Sequence, residues 1–226
     1  MTPGASRLVR KIDERERVLS AFLEAEQEQL ALACHAMARA FSTGATLVAC
    51  GSGAAATDAA HVAVEFMHPV IVGKRALPAV AAPELARPGD IALGLVHDGR
   101  DPEVEELLAR PGLLTIAFTG PEPIDADFSF AVASGDPAIV QEVQETAYHV
   151  LWELVHVFFE HPGLLADACI TCGDIAVEAR VVEISNQTAT IERDGAREQV
   201  AIELVEGVAV GDTILCHAGV ALERIG

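Results

Sequence analysis

A short apolar strand that runs directly into an alanine-rich helix constrains this chain more than any other stretch. Residues Thr46–Cys50 are apolar enough for a buried strand, and Gly51, Ser52 and Gly53 turn the chain into a helical pattern that reaches Met67. A strand that ends in small residues at the start of a helix leaves backbone N–H groups facing an open crevice. We therefore expect a site for a phosphate or another anion at this turn.

Two pairs of side chains with metal-binding chemistry lie on predicted helices. His61 and Glu65 are four residues apart in the alanine-rich helix and share one face, whereas Gln141 and His149 are separated by about two turns of a later helix. Imidazole, carboxylate and amide oxygen can all bind a divalent ion, and the two histidines favour zinc. Glu65 or His149 could also act as a general base. The alternative is an ordinary structural role for each side chain.

The first 163 residues alternate between helical and strand patterns. A helix is predicted from Ser6 to about Phe41, and further strands and helices follow the alanine-rich helix. The strands are predicted at residues 76–82, 90–96, 113–118 and 128–133, and the helices at residues 103–110 and 136–160. Such alternation is typical of an α/β fold with a doubly wound parallel sheet and flanking helices.

The pattern changes to short strands after the Pro-Gly pair at residues 162–163. A turn is predicted at residues 194–195, and the strands lie at residues 178–184, 188–193, 199–204 and 213–217. We predict an α/β domain over residues 1–163, a linker over residues 164–168, and a small all-β, OB-like barrel over residues 169–226.

The composition excludes several classes of protein. The net charge is −19, which would repel a nucleic-acid backbone unless a basic patch compensated for it. The chain has no run of about 18 apolar residues that would predict a membrane span, and its first residues lack the apolar core of a signal peptide. Five cysteines, an odd number, fit a reducing compartment better than a disulfide framework. We expect a cytoplasmic protein that binds neither nucleic acid nor a membrane.

Two motifs resemble the SIS (sugar isomerase) family, and most of all its sedoheptulose 7-phosphate isomerase branch. The segment Cys50–Glu65, C-G-S-G-A-A-A-T-D-A-A-H-V-A-V-E, is similar to that branch's pattern C-G-N-G-G-S-x-x-D-A-x-H-F-A-x-E, and the segment Gln141–His149 is similar to Q-E-x-x-x-x-x-x-H. The resemblance implies a metal, usually zinc, held by His61, Glu65, Gln141 and His149. It also implies that Glu65 and His149 supply acid/base groups for moving a proton along an aldose/ketose chain.

The same resemblance implies a small sugar-phosphate-like ligand and association through helices. The residues expected to contact the ligand are Gly51, Ser52, Gly53, Thr57, Asp58 and Arg100. Because SIS domains commonly associate through their helices, a homo-oligomer, either a dimer or a tetramer, is expected.

One loop departs from the isomerase pattern. Where the isomerases place an S-T-S-G-N-S type loop to hold the sugar phosphate, this chain has V-H-D-G-R-D at residues 96–101. Asp98 and Asp101 would repel a phosphate dianion, with Arg100 alone to compensate. In the first loop, residues 54–55 are Ala-Ala where Gly-Ser is expected. The domain is therefore expected to bind a different ligand or to act as a scaffold for oligomerisation.

The C-terminal segment resembles the HypC/HupF hydrogenase-formation chaperones. The likeness rests on A-R-V-V-E-I at residues 179–184 and on V-G-D-T-I-L-C-H-A-G-V-A-L at residues 210–222. It implies a small β-barrel that binds a maturation partner, carries the iron–cyanide–carbonyl unit and delivers it to the large subunit of nickel–iron hydrogenases. His217 matches the family's late-strand histidine, and Cys169 and Cys172 are the expected thiolate ligands of a transiently carried iron.

These observations lead to one principal hypothesis and one alternative. The chain is expected to be an accessory protein of nickel–iron hydrogenase maturation, with hydrogenase maturation proteins or the hydrogenase large subunit as partners. The alternative is a metal-dependent phosphosugar isomerase with an appended β-module. Whether the chain is an enzyme stays open on the sequence alone.

Overall fold

The computed structural model describes residues 3–160, 165, 176–193, 195–217 and 219–225, with side chains from residue 9 onward. Two compact units are present, one formed by residues 1–29 and 40–152 and the other by residues 30–39 and 153–226. Cys169 and Cys172, the predicted thiolates, and the predicted linker lie outside the described residues except for Leu165. The proposed domain boundaries stay predictions.

A five-stranded parallel sheet forms the centre of the first unit. Its strand order is β2-β1-β3-β4-β5, and every neighbouring pair is parallel. The strands are β1 (Leu47–Cys50), β2 (Ala79–Val80), β3 (Ile91–Leu95), β4 (Leu114–Thr119) and β5 (Phe128–Ala131). The helices are α1 (Pro3–Ser42), α2 (Ala55–Met67), α3 (Pro102–Leu108) and α4 (Pro137–Glu160), with a 3₁₀ turn at Pro83–Leu85. The predicted α/β fold with flanking helices is confirmed.

The strands are continuous apolar runs because the sheet is covered on its faces. Every residue of β1 and β3 is buried, which is the pattern expected of parallel strands without a solvated face. Between β3 and α3 the core contains Ala92, Val104, Leu107 and Leu108. No helix in the described part of the chain is long and apolar enough to cross a membrane.

The second unit contains a closed five-stranded barrel, which confirms the predicted all-β module. Its strand order is β10-β8-β7-β6-β9, and its interior is filled by small and branched side chains such as Val181, Ile191, Val200 and Ile214. The strands are β6 (Val177–Ser185), β7 (Thr188–Arg193), β8 (Ala196–Ala201), β9 (Thr213–His217) and β10 (Val220–Arg224).

The structure corrects two predicted strands and adds a third that the sequence analysis did not predict. The strand expected at residues 76–82 is reduced to two residues, Ala79–Val80, because Pro78 has no N–H to extend the ladder. The strand expected at residues 199–204 begins earlier, at Ala196, since a two-residue turn joins β7 directly to β8. The fifth barrel strand, Val220–Arg224, was not predicted, and it closes the barrel by pairing with both β8 and β9.

Gly94 in β3 allows α3 to pack closely on the sheet, which generates a stability prediction. A Cβ atom at this position would lie 2.4 Å from Val104 Cγ1 and 3.2 Å from the Leu108 side chain. Gly94→Ala should therefore lower the free energy of unfolding by about 1–3 kcal/mol through overpacking. Denaturant unfolding of the full chain measures it, and Gly135→Ala, where a Cβ meets nothing within 4 Å, is the control. Equal stability of the two variants would contradict this account of the packing.

Candidate functional site

The candidate site lies where the strand order reverses. In the sheet, β1 has β2 on one side and β3, the strand after β2 in the chain, on the other. In open parallel sheets, ligands bind outside the carboxyl ends of the strands at such a point. Two loops meet there, residues 51–54 after β1 and residues 96–101 after β3. Gln144, fully buried on α4, holds the second loop by donating from its amide nitrogen to the Val96 carbonyl at 3.0 Å.

Three side chains with metal-binding chemistry converge on α2 and α4. His61, Glu65 and His149 each offer one ligand atom, and these atoms all lie within 4.8 Å of one another. Nε2 of His61 lies 3.2 Å from Oε1 of Glu65, and the imidazole rings of His61 and His149 are 5.2 Å apart between centroids. Two imidazoles and a carboxylate are a suitable donor set for zinc. The structure thus brings together three of the four residues that the sequence assigned to a metal.

Two aromatic side chains of α4 orient this cluster. The Tyr148 hydroxyl lies 3.1 Å from Nδ1 of His61, and Trp152 Nε1 donates to the backbone carbonyl of Glu65 at 2.9 Å. Burial, assisted by the nearby carboxylates of Asp58, Glu145 and Glu65, raises the pKa of Tyr148, so its hydroxyl stays protonated. Because Tyr148 occupies Nδ1, Nε2 is the nitrogen of His61 that faces Glu65 and is suited to bind an ion.

Gln141, the fourth predicted metal ligand, belongs to a second polar chain. Its amide nitrogen donates to Oδ1 of Asp58 at 3.2 Å, and Oδ2 of Asp58 lies 2.7 Å from Nε2 of His97. Asp58 and His97 are both buried. Asp58, which the sequence placed among the ligand contacts, therefore links α4 to the loop after β3.

The turn after β1 is held by a carboxylate of the protein itself. The backbone N–H of Ser52 donates to Oδ2 of Asp101 at 3.0 Å. The same side chain caps α3, since its Oδ1 accepts from the N–H groups of Glu103 at 3.0 Å and Val104 at 3.4 Å. Burial opposes ionisation of Asp101, but the bonds from Ser52, Val104 and Glu103 outweigh it and lower the pKa of this carboxyl.

The other predicted ligand contacts make local bonds. Thr57 donates its hydroxyl to the Ala54 carbonyl at 2.6 Å, and Arg100 Nε donates to Glu105 Oε1 at 2.6 Å. Gly51 allows a close approach of the helix, because a Cβ there would lie 2.8 Å from the Ala55 carbonyl oxygen. Gly53 has a φ of +58°, which favours glycine. The turn is thus shaped by its glycines, while the Ser52 N–H and the Thr57 hydroxyl already have protein partners.

Sequence reasoning missed His97 and Tyr148. His97 directly follows a buried strand at the carboxyl edge of the sheet, a position that could have marked it as a site residue. Tyr148 carries no comparable signal, because only the packing of α4 against α2 brings its hydroxyl to His61.

In the barrel, His217 and Cys216 are adjacent residues of β9. Both are fully buried, and their side chains leave the strand on opposite faces. Cys216 belongs to the barrel core, where burial raises the pKa of its thiol to about 12. Cys216 is therefore an inert core residue.

Comparison with known proteins finds a matching family for both parts of the chain. Residues 12–111 match the SIS domain. A phosphoheptose isomerase from Aquifex aeolicus is 30% identical over 173 residues, covering 63% of this chain and 91% of that protein, and one from Desulfovibrio desulfuricans is 30% identical over 162 residues, covering 58% and 77%. The chain belongs to the SIS-domain family that contains the phosphoheptose isomerases. Residues 175–226 match the HupF/HypC family, so this SIS-domain protein carries a HupF/HypC family domain at its C-terminus.

Solved structures show the same SIS fold. A phosphoheptose isomerase from Francisella tularensis superposes with a TM-score of 0.61 at 18% identity, covering 70% of this chain and all of that one. A phosphoheptose isomerase from Neisseria gonorrhoeae superposes with a TM-score of 0.58 at 19% identity, covering 67% and 97%. At these identities the likeness establishes the fold of the SIS domain alone.

The lowered pKa of Asp101 predicts a pH-dependent contribution to stability. Asparagine can keep the N-cap of α3 with its one acceptor oxygen, but its NH2 group cannot accept from the Ser52 N–H. Asp101→Asn should therefore lower the free energy of unfolding at pH 7 by about 1–3 kcal/mol, through loss of the charge and of this hydrogen bond. The carboxylate stabilises the fold at pH values above its ordinary pKa of 3.8, and this contribution is lost as the pH falls through the lower folded value. Urea unfolding of both proteins between pH 7 and pH 3 should show the difference shrinking only below about pH 4. A difference that is constant with pH would contradict the role of the charge.

Proposed function

We propose that this protein is an accessory factor of nickel–iron hydrogenase maturation, and that its C-terminal barrel handles iron or contacts a maturation partner. The observation that supports this most strongly is the HupF/HypC match over residues 175–226, a range that contains all five strands of the closed barrel. Iron would be the cargo of such a module rather than a resident cofactor.

The residues proposed to serve this role are Cys169, Cys172 and His217. A C-x-x-C pair offers two soft thiolates to one metal ion, and here it directly precedes the first barrel strand along the chain. His217 is fully buried in β9, where its backbone is in register with Val220 of β10. Its imidazole is a further nitrogen donor of the kind that iron accepts.

Partner capture tests the principal proposal. The full-length tagged chain, expressed in cells that assemble a nickel–iron hydrogenase, should co-purify with a maturation protein or the hydrogenase large subunit and contain iron. Replacing both thiols, Cys169→Ser with Cys172→Ser, should reduce the iron content and the captured partner at least about tenfold, because thiolates are the metal-binding groups. Thr171→Ala, between the two cysteines, is the matched control. Unchanged iron and unchanged capture in the double variant would refute the role of the thiolates.

A second candidate function, metal-dependent sugar isomerisation, is favoured by the convergence of His61, Glu65 and His149. A bound zinc ion would polarise a carbonyl oxygen of the substrate. Glu65, whose side chain is only 12% exposed, and His149 are the proposed groups that take and return the proton between adjacent carbons. Tyr148 would keep the imidazole of His61 oriented by accepting from Nδ1–H.

Zinc binding and turnover test this second candidate together. His149→Ala and Glu65→Gln should each weaken zinc binding by at least about tenfold, and Tyr148→Phe by about tenfold through loss of the orienting hydroxyl. His68→Ala, at the exposed end of α2, is the control. Chelator-sensitive turnover of sedoheptulose 7-phosphate that Glu65→Gln abolishes would establish the isomerase, whereas zinc affinity unchanged in all three site variants would refute the metal site.

A further inference from the structure

A cavity of about 410 Å³ opens at the carboxyl ends of β1 and β3. Its walls are the two loops that meet at the reversal of strand order, together with the first turns of α4 at Pro137 and Gln141. A volume of this size accommodates a molecule as large as a monosaccharide. The polar groups around the cavity decide which class of ligand it accepts.

Two groups that could bind an anion in this cavity, the Ser52 N–H and the Arg100 guanidinium, already have carboxylate partners in the protein. The Ser52 N–H, at the turn leading into α2, donates to Asp101, and Asp101 is fixed in that place by two further N–H groups at the start of α3. Arg100 is the one arginine or lysine among the described residues that line the cavity. Its guanidinium forms a salt bridge with the carboxylate of Glu105. A phosphate would have to displace a carboxylate that three backbone N–H groups hold.

The other polar side chains that line the cavity are His97, Gln141 and Asp98. Asp58 and His97 are each more than nine-tenths buried, and their side chains meet at 2.7 Å, so the pair has no net positive charge whether His97 is neutral or protonated. Gln141 donates its amide nitrogen to Asp58, which leaves its carbonyl oxygen to accept from a ligand. The exposed carboxylate of Asp98 stands at the rim.

We propose that this cavity binds a small hydroxylated ligand that carries an ammonium group and no phosphate. The Gln141 carbonyl and the Asp98 carboxylate match the hydrogen-bond donors of such a ligand, while Asp98 and Asp101 attract its positive charge. The same two carboxylates repel a phosphate dianion, so the specificity comes from repulsion as well as attraction. This assignment is independent of what the barrel does. It is an alternative to sedoheptulose 7-phosphate as the ligand of the SIS domain, so turnover of that phosphate by the unmodified chain would contradict it.

Three probes of similar shape test the ligand class with the full-length chain. D-glucosamine carries an ammonium group, D-glucose is neutral, and D-glucose 6-phosphate carries a phosphate. Titration followed by NMR of the His97 imidazole should give the tightest binding for glucosamine, at least about fivefold tighter than glucose, and no shift with glucose 6-phosphate. Glucose 6-phosphate that binds as tightly as glucosamine, or glucosamine that shows no advantage over glucose or no binding at all, would overturn the proposal.

Two variants locate the effect at the two carboxylates. Asp98→Asn removes an exposed charge and should weaken the binding of glucosamine about fivefold. Glu106→Gln makes the same change at an exposed position of α3 outside the cavity and should leave the affinity for glucosamine unchanged. Asp101→Ser keeps a capping side chain for α3 and frees the Ser52 N–H, so glucose 6-phosphate should gain at least about tenfold in affinity. If Asp98→Asn and Glu106→Gln have the same effect, or if Asp101→Ser, folded by circular dichroism, gains no phosphate binding, the carboxylates do not set the specificity.

Discussion

The geometry of the SIS-domain site depends on a single carboxylate. Asp101 accepts from the Ser52 N–H with one oxygen and from the first N–H groups of α3 with the other. It therefore ties the loop after β1 to the loop after β3 at the point where the strand order reverses. Since a helix N-terminus has unsatisfied N–H groups in any case, one side chain caps α3 and closes the neighbouring turn at the same time.

This tie also decides the electrostatics of the cavity beside it. In an open βα turn the backbone N–H groups and the helix dipole favour an anionic ligand. Here the anion is part of the protein, and its three hydrogen bonds keep it ionised. The side chains of Asp58 and His97 nearby also meet each other, at 2.7 Å. The SIS fold is thus retained, with the Ser52 N–H at this turn bonded to a carboxylate of the chain itself.

The metal-binding cluster depends on a different constraint, the packing of α4 against α2. Tyr148 and Trp152 reach across to His61 and to the Glu65 carbonyl, and this contact places His149 beside His61. These contacts involve none of the loop residues 96–101. The cluster of His61, Glu65 and His149 and the loop held by Asp101 are therefore positioned by separate sets of contacts.

Hydrophobic patterning and local turn chemistry in the sequence determined most of the secondary structure and the fold class of this protein. The buried strands β1 and β3, the α/β order, the barrel and the shared face of His61 and Glu65 all follow from periodicity, because side chains repeat every two residues in a strand and every 3.6 in a helix. Local patterning misjudged β2 and missed β10, whose pairing partners lie elsewhere in the chain. The tertiary structure alone decided that Asp101 takes the Ser52 N–H, that Gln141 bonds to Asp58 and that Tyr148 orients His61. These contacts join residues 49, 83 and 87 positions apart, and no local pattern specifies which distant side chain fills a given hydrogen bond.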